Sequence, residues 1–119
     1  MICTSYNIRG LAGAAKHRAL RNFLSKTKTQ VILIQETMIA ASDAIDIFLH
    51  IRPHWRVSAI DAHGLSGGIL TARNPTFGDF KAFHTFAGLL VEGPIRGFPD
   101  MVIILNIYGS YRDRVTFWD

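Results

Sequence analysis

The sequence predicts an α/β protein in which helices flank a β-sheet. Two observations predict this class: the first third of the chain reads as strand, helix, strand, and the second half consists mostly of short apolar segments between Gly, Pro and Asp turn signals. The apolar run at residues 31–34 is rich in β-branched residues, which suits a strand buried on both faces. A length of 119 residues corresponds to one domain.

The first predicted elements are a strand and a helix joined by a glycine-containing turn. The strand covers residues 2–8, and Gly10 and Gly13 then allow the backbone to turn sharply. Over residues 14–26 apolar side chains recur at roughly helical spacing and alternate with basic ones. This pattern predicts a helix with a basic outer face, which leads into the apolar strand at residues 31–34.

A second helix and further strands are predicted beyond that strand. The helix lies within residues 38–51, with Ser42 as its expected N-cap and Asp43 as an acid in its first turn. Residues 111–119 have the composition of the start of another helix. The remaining predicted strands cover residues 55–60, 68–72, 80–86, 89–91 and 101–108.

The composition excludes several classes of protein. With 49% hydrophobic and 18% charged residues, the chain is too apolar to be disordered. Its longest apolar stretches are far shorter than the ~20 residues that a membrane-spanning helix needs. No secretory signal pattern is visible at the N-terminus, so we expect an intracellular protein, and a nuclear location is compatible with this.

The charge and the potential metal ligands give weaker information. A net charge of +4 favours polyanionic partners without requiring nucleic acid. The single Cys3 can form neither an intrachain disulfide nor a thiolate metal cluster. The five histidines lack the close spacing of a metal site, so none of them is assigned a role.

Polar residues follow three of the predicted strands. They occupy residues 5–10, 34–37 and 105–108, each at the end of an apolar segment. Binding sites in α/β sheets form beyond the strand ends, so these segments contain the candidate functional residues.

Five motifs in a fixed order identify a family resemblance. They are N-x-R-G at residues 7–10, Q-E-T at 35–37, S-G-G at 66–68, N-x-Y at 106–108 and Y-R-x-R-x-x-F-W at 111–118. This set resembles the endonuclease/exonuclease/phosphatase superfamily, whose fold is that of DNase I, and is most similar to the endonucleases of plant non-LTR retrotransposons. The resemblance implies the N-terminal portion of a four-layer α/β sandwich, in which mixed, mostly antiparallel sheets are flanked by helices.

The resemblance also implies roles for individual residues. Glu36 would bind a divalent cation, Mg²⁺ or Mn²⁺, and Asn7 would organise the metal and phosphate end of the site. Tyr108 would donate a hydrogen bond to a phosphate oxygen and would complete the catalytic set with Asn7 and Glu36. Arg112 and Arg114 would hold backbone phosphate.

Each of these residues also has a purely structural interpretation, which the sequence leaves open. Asn7 would then close an Asx turn, and Glu36 would be a solvated loop residue. Tyr108 would pack as a β-forming aromatic residue. Arg112 and Arg114 would lie on the solvated face of a terminal helix.

The family pattern is incomplete in this chain. A D-x-N segment that orients the attacking water and a C-terminal Asp-His pair have no counterpart here. Tyr6 stands where the family usually has Trp, Met38 where it has a basic residue, and Gly109 begins the segment that replaces a proline. We therefore expect a truncated N-terminal half that leaves apolar surface at residues 102–105 without a partner.

The expected function follows from this combination. We expect a metal-dependent phosphodiesterase or endonuclease domain by descent, with DNA favoured as substrate and no membrane partner. The chain would bind Mg²⁺ weakly and be inactive without a C-terminal half, because catalytic groups act as a unit. The alternative is a non-catalytic retroelement remnant that binds nucleic acid or protein.

Overall fold

The computed structural model describes residues 1–63 and 66–107. Within these ranges the helices and strands agree with the predicted ones, and their ends differ by at most three residues. Tyr108, Arg112, Arg114 and the helix expected at residues 111–119 lie outside the described residues. The elements are β1 (Cys3–Asn7), α1 (Ala14–Thr27), β2 (Val31–Gln35), α2 (Ala41–Ile51), β3 (Arg56–His63), β4 (Ser66–Arg73), β5 (Lys81–His84), β6 (Gly88–Pro94) and β7 (Met101–Ile107).

The strands form two sheets. The first has the order β1-β2-β4-β3 and the second the order β5-β6-β7. Strands β1 and β2 are parallel because α1 carries the chain back between them, and the other pairs are antiparallel. The mixed, mostly antiparallel arrangement expected from the sequence is therefore confirmed.

The core has two parts, one on each face of the first sheet. Leu20 and Leu24 of α1 and Phe48 of α2 pack on one face against Ile32 and Ile34 of β2. The opposite face packs against the second sheet, where the buried cluster is formed by Val31, Phe80 and Val91. Strand β2 is thus covered on both sides, as its β-branched composition predicts.

The start of α2 differs from the prediction. Ser42 was the expected N-cap, but the helix begins at Ala41, and Ala40 occupies the cap position without a side-chain hydrogen bond. The backbone N–H of Ala41 instead donates to the Asp61 carboxylate on β3, at 2.6 Å. An acid from β3 therefore satisfies one of the free N–H groups at the start of the helix, and only Asp43 keeps its predicted place in the first turn.

Strand β7 has one buried face and one exposed face. Val102 and Ile104 pack into the core between the sheets. The apolar side chains that alternate with them are exposed, with 63% of the surface of Ile103 accessible. The expectation of unpartnered apolar surface at residues 102–105 therefore holds for one face of the strand, because its other face packs on the first sheet. The exposed residues are Met101, Ile103, Leu105 and Ile107.

Both helices in residues 1–63 and 66–107 are too short or too polar to cross a membrane.

Candidate functional site

The ends of β1 and β2 meet at one edge of the first sheet. Asn7 is the last residue of β1, and in the parallel register it lies opposite Gln35, the last residue of β2. Glu36 follows Gln35 directly. Asn7 is exposed and Glu36 is half-buried, so both side chains are accessible from solvent. The structure thus places the predicted amide and carboxylate on adjacent strand ends.

Backbone hydrogen bonds join three of the sequence motifs at this edge. The Q-E-T segment lies between the N-x-R-G segment, which starts with the last residue of β1, and the S-G-G segment, which begins β4. These bonds continue the sheet pattern beyond the regular strands and hold the loops in register. The bonds run from Gly10 N to Glu36 O at 2.8 Å, from Leu11 N to Thr37 O at 2.9 Å, from Thr37 N to Gly68 O at 3.1 Å and from Met38 N to Gly67 O at 3.0 Å.

The joined segments contain an unusual density of left-handed backbone. Arg9, Glu36 and Met38 have φ values of 51°, 56° and 61°, and Lys28 is the fourth non-glycine residue with positive φ in the described ranges. A non-glycine residue pays about 1–2 kcal/mol for this conformation. Such strained conformations often occur at functional sites, and no sequence pattern predicted them here.

Helix α1 holds the loop after β1 in place. The Lys16 ammonium donates to the carbonyl of Ile8 at 2.8 Å. The His17 Nε2 is hydrogen-bonded to the carbonyl of Leu11 at 2.6 Å, and the ring N–H is the donor because a carbonyl can only accept. The spacing of basic residues in α1 predicts that Lys16 lies on the charged outer face, and no sequence pattern assigns a role to His17. Both side chains in fact hold the loop after β1 through hydrogen bonds to its carbonyls, a role that only the tertiary structure shows.

Thr37 and Gly68 make a tight contact beneath the site. Thr37 is fully buried, and its hydroxyl has no hydrogen-bond partner in the described part of the chain. A Cβ on Gly68 would lie 2.2 Å from that hydroxyl oxygen, and Gly68 has a φ of 83°. The S-G-G motif therefore supplies a glycine that both conformation and space require.

The donor set is compatible with one weakly held hard cation. Within the two described ranges, no group of three or more His, Cys, Asp or Glu side chains is placed to hold a metal. Glu36 and Asn7 offer one carboxylate and one amide oxygen at the exposed strand ends. Mg²⁺ commonly binds through one or two carboxylates and keeps several waters, so this pair fits such an ion.

Comparison with solved structures assigns the fold. The chain is similar to an AP endonuclease from Leishmania major, with a TM-score of 0.66, 17% identity, and coverage of 95% of this chain and 42% of that one. It is also similar to a Neisseria 3′ phosphatase bound to a product DNA hairpin, with a TM-score of 0.56, 13% identity and coverage of 87% and 40%. A truncated TDP2 from Caenorhabditis elegans gives a TM-score of 0.57, 15% identity and coverage of 93% and 47%.

At these identities the likeness establishes the fold, which is the DNase-I-like α/β sandwich expected from the sequence motifs. The chain spans less than half the length of these solved proteins. No protein-family model matches the chain, and no curated protein matches it either.

Proposed function

We propose that this chain forms the N-terminal half of a metal-dependent phosphodiesterase domain of the endonuclease/exonuclease/phosphatase superfamily, with DNA as the favoured substrate. The observation that carries the proposal is the position of Asn7 and Glu36 on adjacent strand ends, in segments joined by backbone hydrogen bonds. Supporting it, the solved proteins with this fold include AP endonucleases and a phosphatase captured with product DNA. The order of the sequence motifs further favours the retrotransposon-type branch.

In this proposal Glu36 and Asn7 form the metal and phosphate end of the site. When bound, Mg²⁺ or Mn²⁺ supplies charge stabilisation for the phosphate and leaving-group oxygens. The Glu36 carboxylate holds the ion, and the Asn7 amide orients that carboxylate or donates to a phosphate oxygen. Tyr108, Arg112 and Arg114 remain proposed phosphate contacts.

A C-terminal half would supply the remaining chemistry. The D-x-N and Asp-His elements of the family position and deprotonate the attacking water, and removal of one member of such a unit eliminates most of the rate. We therefore propose that the 119-residue chain is inactive alone. The exposed apolar face of β7 supports a missing packing partner, as does the coverage of about two fifths of the similar AP endonuclease.

The second candidate is a binding remnant without catalysis. The same exposed apolar face favours it, since such a surface also suits a protein partner. The two candidate functions differ in whether Glu36 is required for catalysis.

Complementation tests the proposal. The chain is co-expressed with the C-terminal half of the structurally similar AP endonuclease, and nicking of plasmid DNA is measured with Mg²⁺. We expect no nicking by the chain alone and clear nicking by the pair. Glu36→Gln or Asn7→Ala should reduce the gain at least ~100-fold, because each removes a group that contacts the metal or phosphate.

Glu92→Gln is the matched control, because it makes the same chemical change in β6 of the second sheet. Nicking by the pair that survives Glu36→Gln would contradict the proposed site. Strong Glu36-dependent nicking by the chain alone would instead contradict its incompleteness. Binding of DNA by the chain, with no nicking by any pair, would favour the binding remnant.

A further inference from the structure

Asn106 is a buried polar residue in the otherwise apolar strand β7. Only 1% of its surface is exposed, while its neighbours along the strand are Val, Ile and Leu. Its side-chain amide donates to the carbonyls of Ile34 at 3.3 Å and Leu70 at 3.0 Å, and to the Thr71 hydroxyl at 3.2 Å. Asn106 therefore ties the second sheet to both β2 and β4.

These contacts lie next to the candidate site. Ile34 and Leu70 are opposite each other in the β2-β4 register. Ile34 is two residues before Glu36, and Leu70 is two residues after Gly68. The second sheet is thus joined to the first close to the point where the Q-E-T segment leaves β2 and the S-G-G segment begins β4.

The remaining polar atom of Asn106 makes the decisive contact. Its Oδ1 accepts a hydrogen bond from Nε2 of Gln35 at 3.1 Å. The same Nε2 donates to the carbonyl of Leu33 at 3.1 Å, and Oε1 of Gln35 accepts from the Ser5 hydroxyl at 3.2 Å. Both ends of the Gln35 amide are therefore held, by β7 on one side and β1 on the other.

The residue after Gln35 has a left-handed backbone. The backbone enters the left-handed conformation at Glu36, whose φ is 56°. A residue in this strained conformation stays there only when its surroundings over-determine it. Gln35, whose amide is held at both ends, is the residue directly before that turn.

We infer that Asn106 is a positioning residue: acting through Gln35, it holds the left-handed turn that places the Glu36 carboxylate beside Asn7. The inference rests on the proposed function in so far as Glu36 binds the metal. It assigns the asparagine of the N-x-Y segment to the support of the site and not to contact with the substrate.

Binding of Mn²⁺ to the ¹⁵N-labelled 119-residue chain tests the inference, with paramagnetic broadening of the amide signals of residues 7 and 36 as readout. Gln35→Met removes the link to Asn106, together with the bonds of Gln35 to Leu33 and Ser5, and leaves the other bonds of Asn106 intact. We expect it to raise the Mn²⁺ concentration needed for half-broadening by ~10- to 100-fold, as loss of groups that orient metal ligands generally does. Asn106→Leu should act in the same direction, and Gln35→Met decides the question if Asn106→Leu does not fold.

Thr71→Val is the matched control. It removes one hydrogen bond of Asn106 on the β4 side but leaves the contact with Gln35. A merely structural role for the network predicts that Gln35→Met and Thr71→Val bind Mn²⁺ alike. A half-broadening concentration for Gln35→Met within ~2-fold of wild type would overturn the inference.

A second readout separates this inference from the proposed function. If Glu36→Gln leaves the broadening unchanged, the proposed metal site is wrong, and amide exchange then tests the positioning alone. Gln35→Met should speed exchange of the Thr37 amide, which donates to Gly68, at least ~10-fold more than Thr71→Val does. Equal exchange rates in the two variants would overturn the inference regardless of metal binding.

Discussion

Glu36 combines a half-buried carboxylate with a left-handed backbone. Its φ of 56° is close to that of Lys28, which is 54° at the C-cap of α1. The conformation of Lys28 has an ordinary structural cause, because helices often end on a left-handed residue. Glu36 follows a strand, and strands do not commonly end on a left-handed residue as helices do. The two residues therefore have a similar conformational strain for different reasons.

Replacement of Glu36 by glycine should stabilise the protein and remove its metal site. Glycine accepts positive φ without steric cost, so we expect Glu36→Gly to raise the free energy of unfolding by about 0.5–1 kcal/mol after the entropy cost of glycine. Urea unfolding measures this, and Mn²⁺ broadening should disappear. Lys28→Gly should give a similar stability gain with unchanged Mn²⁺ binding. A loss of stability in Glu36→Gly alone would show that the Glu36 side chain holds the fold.

The buried hydroxyls of Thr37 and Thr71 predict stability changes of opposite sign. Thr37 has no hydrogen-bond partner in the described ranges, whereas Thr71 accepts from Asn106. Thr37→Val should therefore raise the free energy of unfolding by about 1 kcal/mol, because it removes an unpaired polar group at nearly constant volume. Thr71→Val should lower it by about 1 kcal/mol. If urea unfolding shows Thr37→Val to be destabilising, the Thr37 hydroxyl has a partner in solution, such as water.

At the scale of elements, the contact between β2 and β4 depends on a glycine. Strand β4 begins with the S-G-G segment, whose Gly67 and Gly68 carbonyls accept hydrogen bonds from the backbone after β2. Gly97 has nearly the same φ as Gly68, 84° against 83°, but a Cβ there would meet nothing within 4 Å. Alanine substitutions at Gly68 and Gly97 therefore separate the energetic cost of the backbone conformation from the cost of steric crowding.

Gly68→Ala should destabilise the protein more than Gly97→Ala. Both substitutions cost about 1–2 kcal/mol because they place an alanine in a left-handed conformation. Only Gly68→Ala also drives a methyl group against Thr37, which adds about 1–3 kcal/mol of overpacking. Chemical denaturation of the two variants gives the difference directly. An equal decrease in the free energy of unfolding of the two variants would mean that the Q-E-T segment shifts to accommodate the methyl group. A segment that shifts so easily could not fix the position of Glu36.

At the scale of the whole molecule, the second sheet is covered on one side only within the described ranges. Its inner face packs on β2, while the outer face of β7 presents four large apolar side chains to solvent. Monomeric proteins rarely expose contiguous apolar patches larger than roughly a few hundred Å². We therefore expect the isolated chain to be poorly soluble and to bind the dye ANS.

Ile103→Lys should improve solubility without loss of stability. Ile103 is 63% exposed and lies opposite Glu92 in the β6-β7 register, so the new ammonium gains a cross-strand partner worth about 0.2–1 kcal/mol. ANS fluorescence should fall, and nicking after complementation should fall as well if the outer face binds the C-terminal half. Asn22→Lys adds the same charge at an exposed position of α1, and it should change neither the ANS fluorescence nor the nicking. Full complementation by Ile103→Lys would exclude this face as the docking surface.

The sequence by itself determined the order of the elements and the edge at which the motifs lie. Strand β2 was predictable because a β-branched apolar run has few alternatives to a fully buried strand, and its burial is observed. The positions of Asn7 and Glu36 at strand ends followed from the order of the elements and from the rule that sites in α/β sheets form beyond the strand ends, and the parallel pairing of β1 and β2 places both at one edge. Each strand and its end are defined by neighbouring residues in the chain, where periodicity is informative.

Only the tertiary structure decided how the site is supported. Asp61, and not Ser42, satisfies the start of α2, and Asn106 reaches Gln35 across 71 positions of the chain. The left-handed turn at Glu36 likewise has no local signal, because glutamate does not favour it. Each of these features is fixed by contacts between distant residues, whose energies outweigh local preferences and which no spacing in the sequence encodes.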